Sequence, residues 1–416
     1  MKRALSRPVV AWAFYDWANS AFATTVMAGF FPTFFRQYWS QGADATLTTW
    51  RLGLANGVAG FLIAVLAPLL GALADRSARR KHFVLGWTVV GVAASAALYF
   101  VGQGEWQLAV LLFVVGTMGF NGGIVFSDAL LPQIAVPRDY DRVSALGYSL
   151  GYLGGGLLFA INVWMTLQPG FFGLASAAEA VRFSFLTVAA WWLLFSLPLA
   201  IWVHETPAKA RQGGAALVSG WQELRATLGD IMRQRDLWLF LVAYWLYIDG
   251  VNTVIKMAVD YGMALGFPVA SLLTALLITQ FVAFPAALAF GWLGGRIGAR
   301  RGILIGIAVY AALSLYAVFM TSVTEFYAMA VVVGLVQGGV QSLSRSLFGQ
   351  FVPQDKSAEY YGFYNMMGKF ATVIGPLLVG ATAALSGSNR AGIGSLVLLF
   401  GVGGWLLWKV KAPRAL

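Results

Sequence analysis

The chain is a succession of long apolar stretches separated by short polar ones. Each of twelve stretches holds about 20 or more mostly apolar residues, the length at which a helix crosses the hydrocarbon core of a bilayer. Their Gly and Ala content favours closely packed helices over strands. The pattern predicts an all-α membrane protein with twelve transmembrane helices, at 9–37, 52–73, 83–101, 107–134, 143–167, 182–203, 237–262, 270–293, 303–321, 326–350, 359–385 and 392–409.

Two of these stretches share one polar pattern. WAFYDWANS at 12–20 and WLYIDGVNT at 245–253 place a Trp, an Asp and an Asn at the same spacing. Further pairs of segments recur in the same order, namely 71–80 with 291–300, 120–123 with 336–339, and 136–139 with 352–355. Accidental matches would not keep this order. The repeat predicts two pseudo-symmetric six-helix bundles, 1–204 and 237–416, joined by a cytoplasmic linker at 205–236.

The linker itself has the pattern of an amphipathic helix. Its apolar residues recur at alternating steps of four and three, at Leu217, Trp221, Leu224, Leu228 and Ile231. A Trp and basic residues on such a helix are typical of a segment that lies at the membrane surface. We expect it to act as a mechanical tether, and a regulatory or partner-binding role stays open.

Composition and charge agree with a membrane protein. Hydrophobic residues make up 59% of the 416 residues and charged residues 11%, far from the composition of a soluble domain. The net charge of +11 is distributed unevenly, because 21 of the 28 basic residues fall in alternate loops and at the two termini. This asymmetry is the positive-inside pattern, so both termini should be cytoplasmic. No nucleic-acid partner is needed to explain the charge.

The residues that most enzymes rely on are scarce. The chain has no Cys and two His, and both His fall at the ends of apolar stretches. We therefore expect no disulfide, no metal site and no enzymatic activity. We also expect no cofactor, and a coupling proton stays open.

Several polar and ionisable residues lie within the apolar stretches, where they are functional candidates by default. Asp16 and Asn19 are three residues apart, as are Asp249 and Asn252, so each pair shares one helix face. The seven residues predicted to bind substrate or a coupling ion are Asp16, Asn19, Asp249, Asn252, Lys256, Asp260 and Lys369. Proton coupling through a buried carboxylate and purely structural ion pairing both remain open.

A second group of residues predicts a gate. In GALADRSARR at 71–80, Gly71 would allow close helix packing, Asp75 would lie against a helix N-terminus, and the arginines would bridge acids on adjacent loops. Asp128 and Arg345 occupy nearly equivalent depths in opposite halves, so they could pair across the halves or each within its own half. The arginines could also serve only to set topology. The predicted gating residues are Gly71, Asp75, Arg76, Arg79, Arg80, Asp128 and Arg345.

The segment GALADRSARRK at 71–81 resembles the loop signature of the major facilitator superfamily. Four further segments resemble the bacterial branch of the vacuolar effluxer-like transporters: FYDWANSAFATTV at 14–26, DGVNT at 249–253, GGVQSLSRS at 338–346 and GFYNMMGKF at 362–370. The resemblance covers essentially the whole chain and implies the major facilitator fold. The eukaryotic members of this family are linked to vacuolar amino-acid export.

These observations together predict a secondary active transporter of the bacterial inner membrane. It would move a small polar solute by alternating access between the two bundles, and the mixture of buried acids and bases would suit an amino acid or a short peptide. A lipid flippase on the same fold and a membrane sensor that binds without transporting are the alternatives. The expected partners are the small-molecule substrate and the lipid bilayer, and a monomer is expected.

Overall fold

The computed structural model describes residues 5–43, 45–77, 79–205 and 216–411, without the side chains of 45, 46, 49, 216–224, 259, 260 and 269. These residues are almost entirely helical. The α-helices are α1 (Arg7–Ala21), α2 (Phe31–Phe34), α3 (Ala45–Ser77), α4 (Arg80–Leu98), α5 (Trp106–Ile134), α6 (Tyr140–Leu167), α7 (Ala177–Trp202), α8 (Ala216–Arg233), α9 (Arg235–Ala264), α10 (Val269–Ile297), α11 (Ala299–Ala317), α12 (Val323–Gly349), α13 (Ser357–Phe370), α14 (Ile374–Ser386), α15 (Asn389–Gly394) and α16 (Val397–Lys409).

Eleven helical segments in the described part of the chain are long and apolar enough to cross a membrane, judged by length and composition. The predicted all-helical membrane fold is therefore confirmed. The predicted first span is helical as well, but it is divided into pieces of which the longest, α1, has 15 residues. The count of twelve spans and the cytoplasmic position of the termini stay predictions.

The division of the first span comes from π-helical turns, which sequence patterns did not predict. Two π segments, Phe22–Phe30 and Phe35–Trp39, follow α1 and α2. Such turns hold one more residue than an α turn and often occur near functional sites. In the first of them Thr24 accepts a hydrogen bond of 3.0 Å from the side-chain amide of Gln280 in α10.

We refer to residues 5–205 as the N-terminal half and to 235–411 as the C-terminal half, and their independence as domains stays a prediction. In the N-terminal half, α1 packs against α6 and α7, and α4 packs against α5. In the C-terminal half, α10 packs against α12, and α9 against α16. The halves meet where α6 contacts α10 and α12, and where α3 contacts α13.

Glycines allow α3 and α13 to approach closely. A Cβ atom at Gly71 would lie 2.4 Å from the carbonyl oxygen of Ala358, and one at Gly362 would lie 2.8 Å from Cα of Pro68. Backbone therefore packs directly on backbone, as small residues permit in membrane helices. The close approach predicted at Gly71 is present in the structure.

The linker forms the predicted helix, α8. Its described C-terminal turns pack against the protein, because Thr227 and Ile231 are buried while Leu228 is exposed. Asp230 lies 3.4 Å from the ammonium group of Lys356, which precedes α13. Leu217, Trp221 and Leu224, which define the first part of the predicted apolar face, have side chains outside the described part of the structure.

Candidate substrate and gating site

Arg345 of α12 is the centre of an ion cluster between the halves. Its Nη1 lies 2.9 Å from Oδ1 of Asp128 in α5 and 3.2 Å from Oδ2 of Asp16 in α1. Its Nε donates to the hydroxyl of Ser144 in α6, and its Nη2 donates to the carbonyl of the same residue, both at 2.8 Å. The predicted pair of Asp128 and Arg345 is present. Among the described residues, every partner of its guanidinium group lies in the N-terminal half, so the alternative of pairing within one half does not hold for Arg345.

Aromatic rings close over the guanidinium group. The ring centroids of Trp12 and Tyr148 lie 4.7 Å and 4.4 Å from Cζ of Arg345. The arginine side chain is 3% exposed, whereas that of Asp16 is 13% exposed. Such contacts stabilise a cation when water is excluded. Two carboxylates therefore share one buried cation, and Asp16 is the one that solvent can still reach.

Arg345 also ends a row of polar residues whose other five members are uncharged and were missed by sequence reasoning. Three polar residues four positions apart on α12 face three on α6, and we call these six residues the polar ladder: Gln337, Gln341 and Arg345 with Ser144, Tyr148 and Tyr152. The Tyr152 hydroxyl donates to Oε1 of Gln341 at 2.6 Å. A spacing of four puts side chains on one helix face, so the ladder was available as a signal in the sequence.

A second contact between the halves forms at the end of α3. The carboxylate of Asp75 accepts hydrogen bonds from the backbone amides of Ala358 and Glu359, at 3.0 and 2.8 Å. Asp75 also accepts one of 2.6 Å from Nε of Arg80, whose Nη2 donates to two backbone carbonyls in the turn before α13. We call this end of the molecule, formed by Asp75, Arg80 and the first turn of α13, the latch end. Asp75 therefore lies at a helix N-terminus, as predicted.

The remaining predicted gating residues contribute differently. Arg79 is exposed and precedes α4, whereas Arg76 is partly buried in the last turn of α3. In the first half of α3, away from the latch end, Gly53, Gly57 and Gly60 have open space where a Cβ would stand. The contact of α3 with α13 is thus tight at the latch end. We call this arrangement, with α3 and α13 in contact at the latch end, closed.

Asp249 and Asn252 of α9 lie at a break in the predicted eleventh span. Ile374 and Gly375 begin α14, and their backbone amides donate hydrogen bonds of 2.9 and 3.1 Å to the carboxylate of Asp249. The amide of Asn252 donates to the carbonyl of Ala371 at 3.0 Å, just after α13 ends. Both side chains therefore satisfy backbone groups that the break leaves without helical partners.

The structure thus gives the two repeated aspartates different surroundings, since Asp16 binds Arg345 and Asp249 binds the N-terminus of α14. Asn19 is buried, and its amide nitrogen has no hydrogen-bond partner among the described residues. Lys256 is exposed and Lys369 is partly buried. The side chain of Asp260 lies outside the described part of the structure. Within that part, no three His, Asp or Glu side chains are grouped as a metal site would require.

Two packed helical halves, joined by buried charges and a helix-capping aspartate, have the fold of the major facilitator class of membrane proteins. Solved structures with this fold include the proton:xylose symporter XylE, with a TM-score of 0.72, 12% identity and coverage of 99% of this chain and 96% of that one. FucP in its outward conformation matches with a TM-score of 0.73, 12% identity and coverage of 99% and 100%. These likenesses show the fold.

The family follows from sequence comparison. Residues 52–416 match the family model described as "Vacuole effluxer Atg22 like", and the chain belongs to this family. It is 36% identical over 405 residues to the "Uncharacterized MFS-type transporter YxiO" of Bacillus subtilis, with coverage of 97% of this chain and 94% of that one. It is also 23% identical to "Autophagy-related protein 22" of Coccidioides immitis, with coverage of 94% and 84%. The predicted family is confirmed, and the Bacillus relative is named as a transporter of the major facilitator type.

Proposed function

We propose that the protein is a secondary active transporter that moves a small polar solute by alternating access between its two halves. The ion cluster of Arg345, Asp16 and Asp128 is the observation that supports this proposal. It joins three helices of one half to one helix of the other, so it must break before the halves can separate there. Breaking a buried ion pair without compensation is strongly unfavourable. Opening therefore requires an event that neutralises or replaces these charges.

Protonation of Asp16 is our candidate for that event. Two carboxylates opposite one guanidinium leave a net negative charge in a buried site, and one added proton would remove it. Asp16 is more exposed than Asp128, and its contact with Arg345 is 0.3 Å longer, at 3.2 against 2.9 Å. Asp128 also accepts a hydrogen bond from the amide of Asn365. A proton on Asp16 would weaken one of the two ion pairs and favour separation.

We further propose an amino acid or a short peptide as the solute and the bacterial plasma membrane as the location. The hydroxyl and amide groups of the polar ladder, next to both signs of charge, could bind the polar groups of a zwitterion. The Bacillus relative supports a bacterial transporter. Two of the structural neighbours are named as sugar–proton symporters, which supports a small polar cargo and a coupling proton on this fold.

Flux into proteoliposomes tests the proposal. Labelled amino acids and dipeptides would be offered with and without an imposed pH gradient, to the parent protein and to Asp16→Asn. We expect the gradient to drive accumulation in the parent, whereas the variant should retain only exchange down a concentration gradient. Asp236→Asn is the matched control. Among the described hydrogen bonds, Asp236 accepts only from the backbone amide of Lys411, which lies in the same half.

Two results would contradict the proposal. Equal gradient-driven accumulation by the parent and Asp16→Asn would exclude Asp16 as the coupling residue. Transfer of a labelled phospholipid between leaflets, without movement of any soluble solute, would replace the polar solute with a lipid.

A further inference from the structure

The first residues of the linker are fixed to the N-terminal half at the latch end. Nζ of Lys81 donates hydrogen bonds to the carbonyls of Ala200 and Val203, at 3.1 and 2.9 Å, where α7 ends. The backbone amide of Lys81 donates one of 3.0 Å to the carboxylate of Glu205. Lys81 directly follows Arg80, which binds the turn before α13. The linker therefore starts beside the contact between α3 and α13.

The other end of the linker is tied to the C-terminal half. Gln234 alone separates α8 from α9. Asp230 of α8 also lies 3.4 Å from the ammonium group of Lys356, which precedes α13. The Asp230 and Lys356 side chains are 44% and 29% exposed, so water screens their attraction and the ion pair contributes little stability. The chain itself is thus the main attachment of α8 to this half.

The same helix packs on a helix of the other half. α8 contacts α3 of the N-terminal half as well as α9 and α13 of the C-terminal half. Thr227 and Ile231 are four residues apart on one face and are fully buried, whereas Met232 is 56% exposed. Ile231 belongs to one apolar cluster with Ala74 of α3 and Leu237 of α9. The buried face of α8 therefore lies across the boundary between the halves.

Opening of the latch end would affect these contacts unequally. That end opens when α3 leaves α13, and α8 stays with the C-terminal half because it is joined to α9. The contacts of α8 with α9 and α13 persist in this movement, whereas its contact with α3 is lost. An interaction made in only one of two states shifts the equilibrium towards that state. The contact of α8 with α3 thus favours the closed arrangement.

We propose that α8 is a clasp, which holds the latch end closed by packing its buried face, Thr227 and Ile231, against α3. This role goes beyond the mechanical tether that the sequence of the linker predicts. It rests on the proposed function insofar as the latch end opens during transport. The clasp changes the population of the closed arrangement and leaves the packing within each half as it is.

Hydrogen exchange of backbone amides tests the clasp without transport. The amides of Ala358 and Glu359 donate to Asp75 across the halves, so they exchange with solvent when the latch end opens. The first two amides of α14 donate to Asp249 within the C-terminal half and serve as the reference. Both pairs would be followed by mass spectrometry of peptides from the purified full chain in nanodiscs, without solute or gradient.

Three variants in α8 separate its buried face from its exposed one. Ile231→Ala should accelerate exchange of the two α13 amides at least about tenfold and leave the α14 amides unchanged. Ile231→Val removes a single methylene, so it keeps the fold where the alanine variant does not, and should accelerate exchange about twofold to tenfold. Met232→Ala is the matched control and should exchange as the parent does.

The clasp would be refuted by any of three results. In the first, exchange of the α13 amides is unchanged in both Ile231 variants. In the second, the α14 amides accelerate by the same factor, which would show a general loosening of the C-terminal half. In the third, Met232→Ala accelerates exchange as much as Ile231→Ala, which would assign the effect to the exposed face of α8.

Failure of the proposed function would be recognised separately. If the parent shows no gradient-driven flux in proteoliposomes while the Ile231 variants still accelerate exchange at the α13 amides alone, the proposed function is contradicted and the clasp stands.

Discussion

Removal of the Asp75 carboxylate should open the latch end. In the closed state this carboxylate accepts two hydrogen bonds from the first turn of α13, at 3.0 and 2.8 Å, and holds α3 against the other half. Hydrogen bonds to a charged group contribute about 1.5–3 kcal/mol each, so Asp75→Ala should destabilise the closed state by about 3 kcal/mol or more. Since about 1.4 kcal/mol is a tenfold change, the open population should rise roughly a hundredfold.

The absence of native cysteine makes this opening measurable. Ser357 begins α13, is fully buried, and donates a hydrogen bond to the carbonyl of Ala129 in α5. A Ser357→Cys substitution places a single thiol where a maleimide can react only after α13 leaves α3 and α5. When opening and closing are fast relative to alkylation, the alkylation rate is proportional to the open population. We expect Asp75→Ala to raise this rate by about the factor derived above.

The control for this experiment is Asp236→Ala in the same Ser357→Cys background. Asp236 also accepts a hydrogen bond from a backbone amide, at 2.9 Å, but within the C-terminal half. Its loss should leave the alkylation rate unchanged. Equal rates for the Asp75→Ala protein and its parent would show that this carboxylate does not hold the latch end closed, and an equal increase in Asp236→Ala would show that the effect is not specific to it.

Two further predictions concern glycines at the contacts between the halves. Gly71→Ala should also raise the alkylation rate, because its Cβ would lie 2.4 Å from a backbone carbonyl oxygen of α13. The control is Gly53→Ala in the same helix, whose Cβ would meet no atom within 4 Å and which should leave the rate unchanged. Gly147→Ala should reduce flux about fivefold to a hundredfold, because its Cβ would lie 2.4 Å from the Asp16 carboxylate and overpacking costs about 1–3 kcal/mol. Gly86→Ala has open space and should transport normally. A flux equal to the parent's in Gly147→Ala would mean that the ion cluster tolerates displacement.

The fold could be predicted from the long apolar stretches, and the family from segments that resemble it. Two contacts between the halves were among the predictions because charged residues are rare in apolar stretches. Asp75 at a helix N-terminus and the pair of Asp128 and Arg345 are both present. The uncharged members of the polar ladder were missed because only ionisable residues within apolar stretches are functional candidates by default. Gln337 and Tyr152 are marked by their spacing alone.

The different surroundings of Asp16 and Asp249 could not be predicted from their identical pattern. In the C-terminal half, Pro376 lies in the first turn of α14, where its missing amide is tolerated and a helix can begin. The break that precedes it frees backbone amides, and Asp249 accepts from them. The corresponding contact of Asp16 is with the continuous helix α6, where Gly147 leaves room for it to reach Arg345.

The number of partners around Arg345 determines how the halves can separate. One guanidinium group holds α1, α5 and α6 together through Asp16, Asp128 and Ser144. A partial withdrawal would leave a buried charge with incomplete pairing, which is less stable than either end state. Intermediate positions should therefore be sparsely populated, and the transition should be cooperative, as in a switch with two positions. A transporter built in this way would resist leakage, because an arrangement with both ends partly open would leave a buried charge incompletely paired.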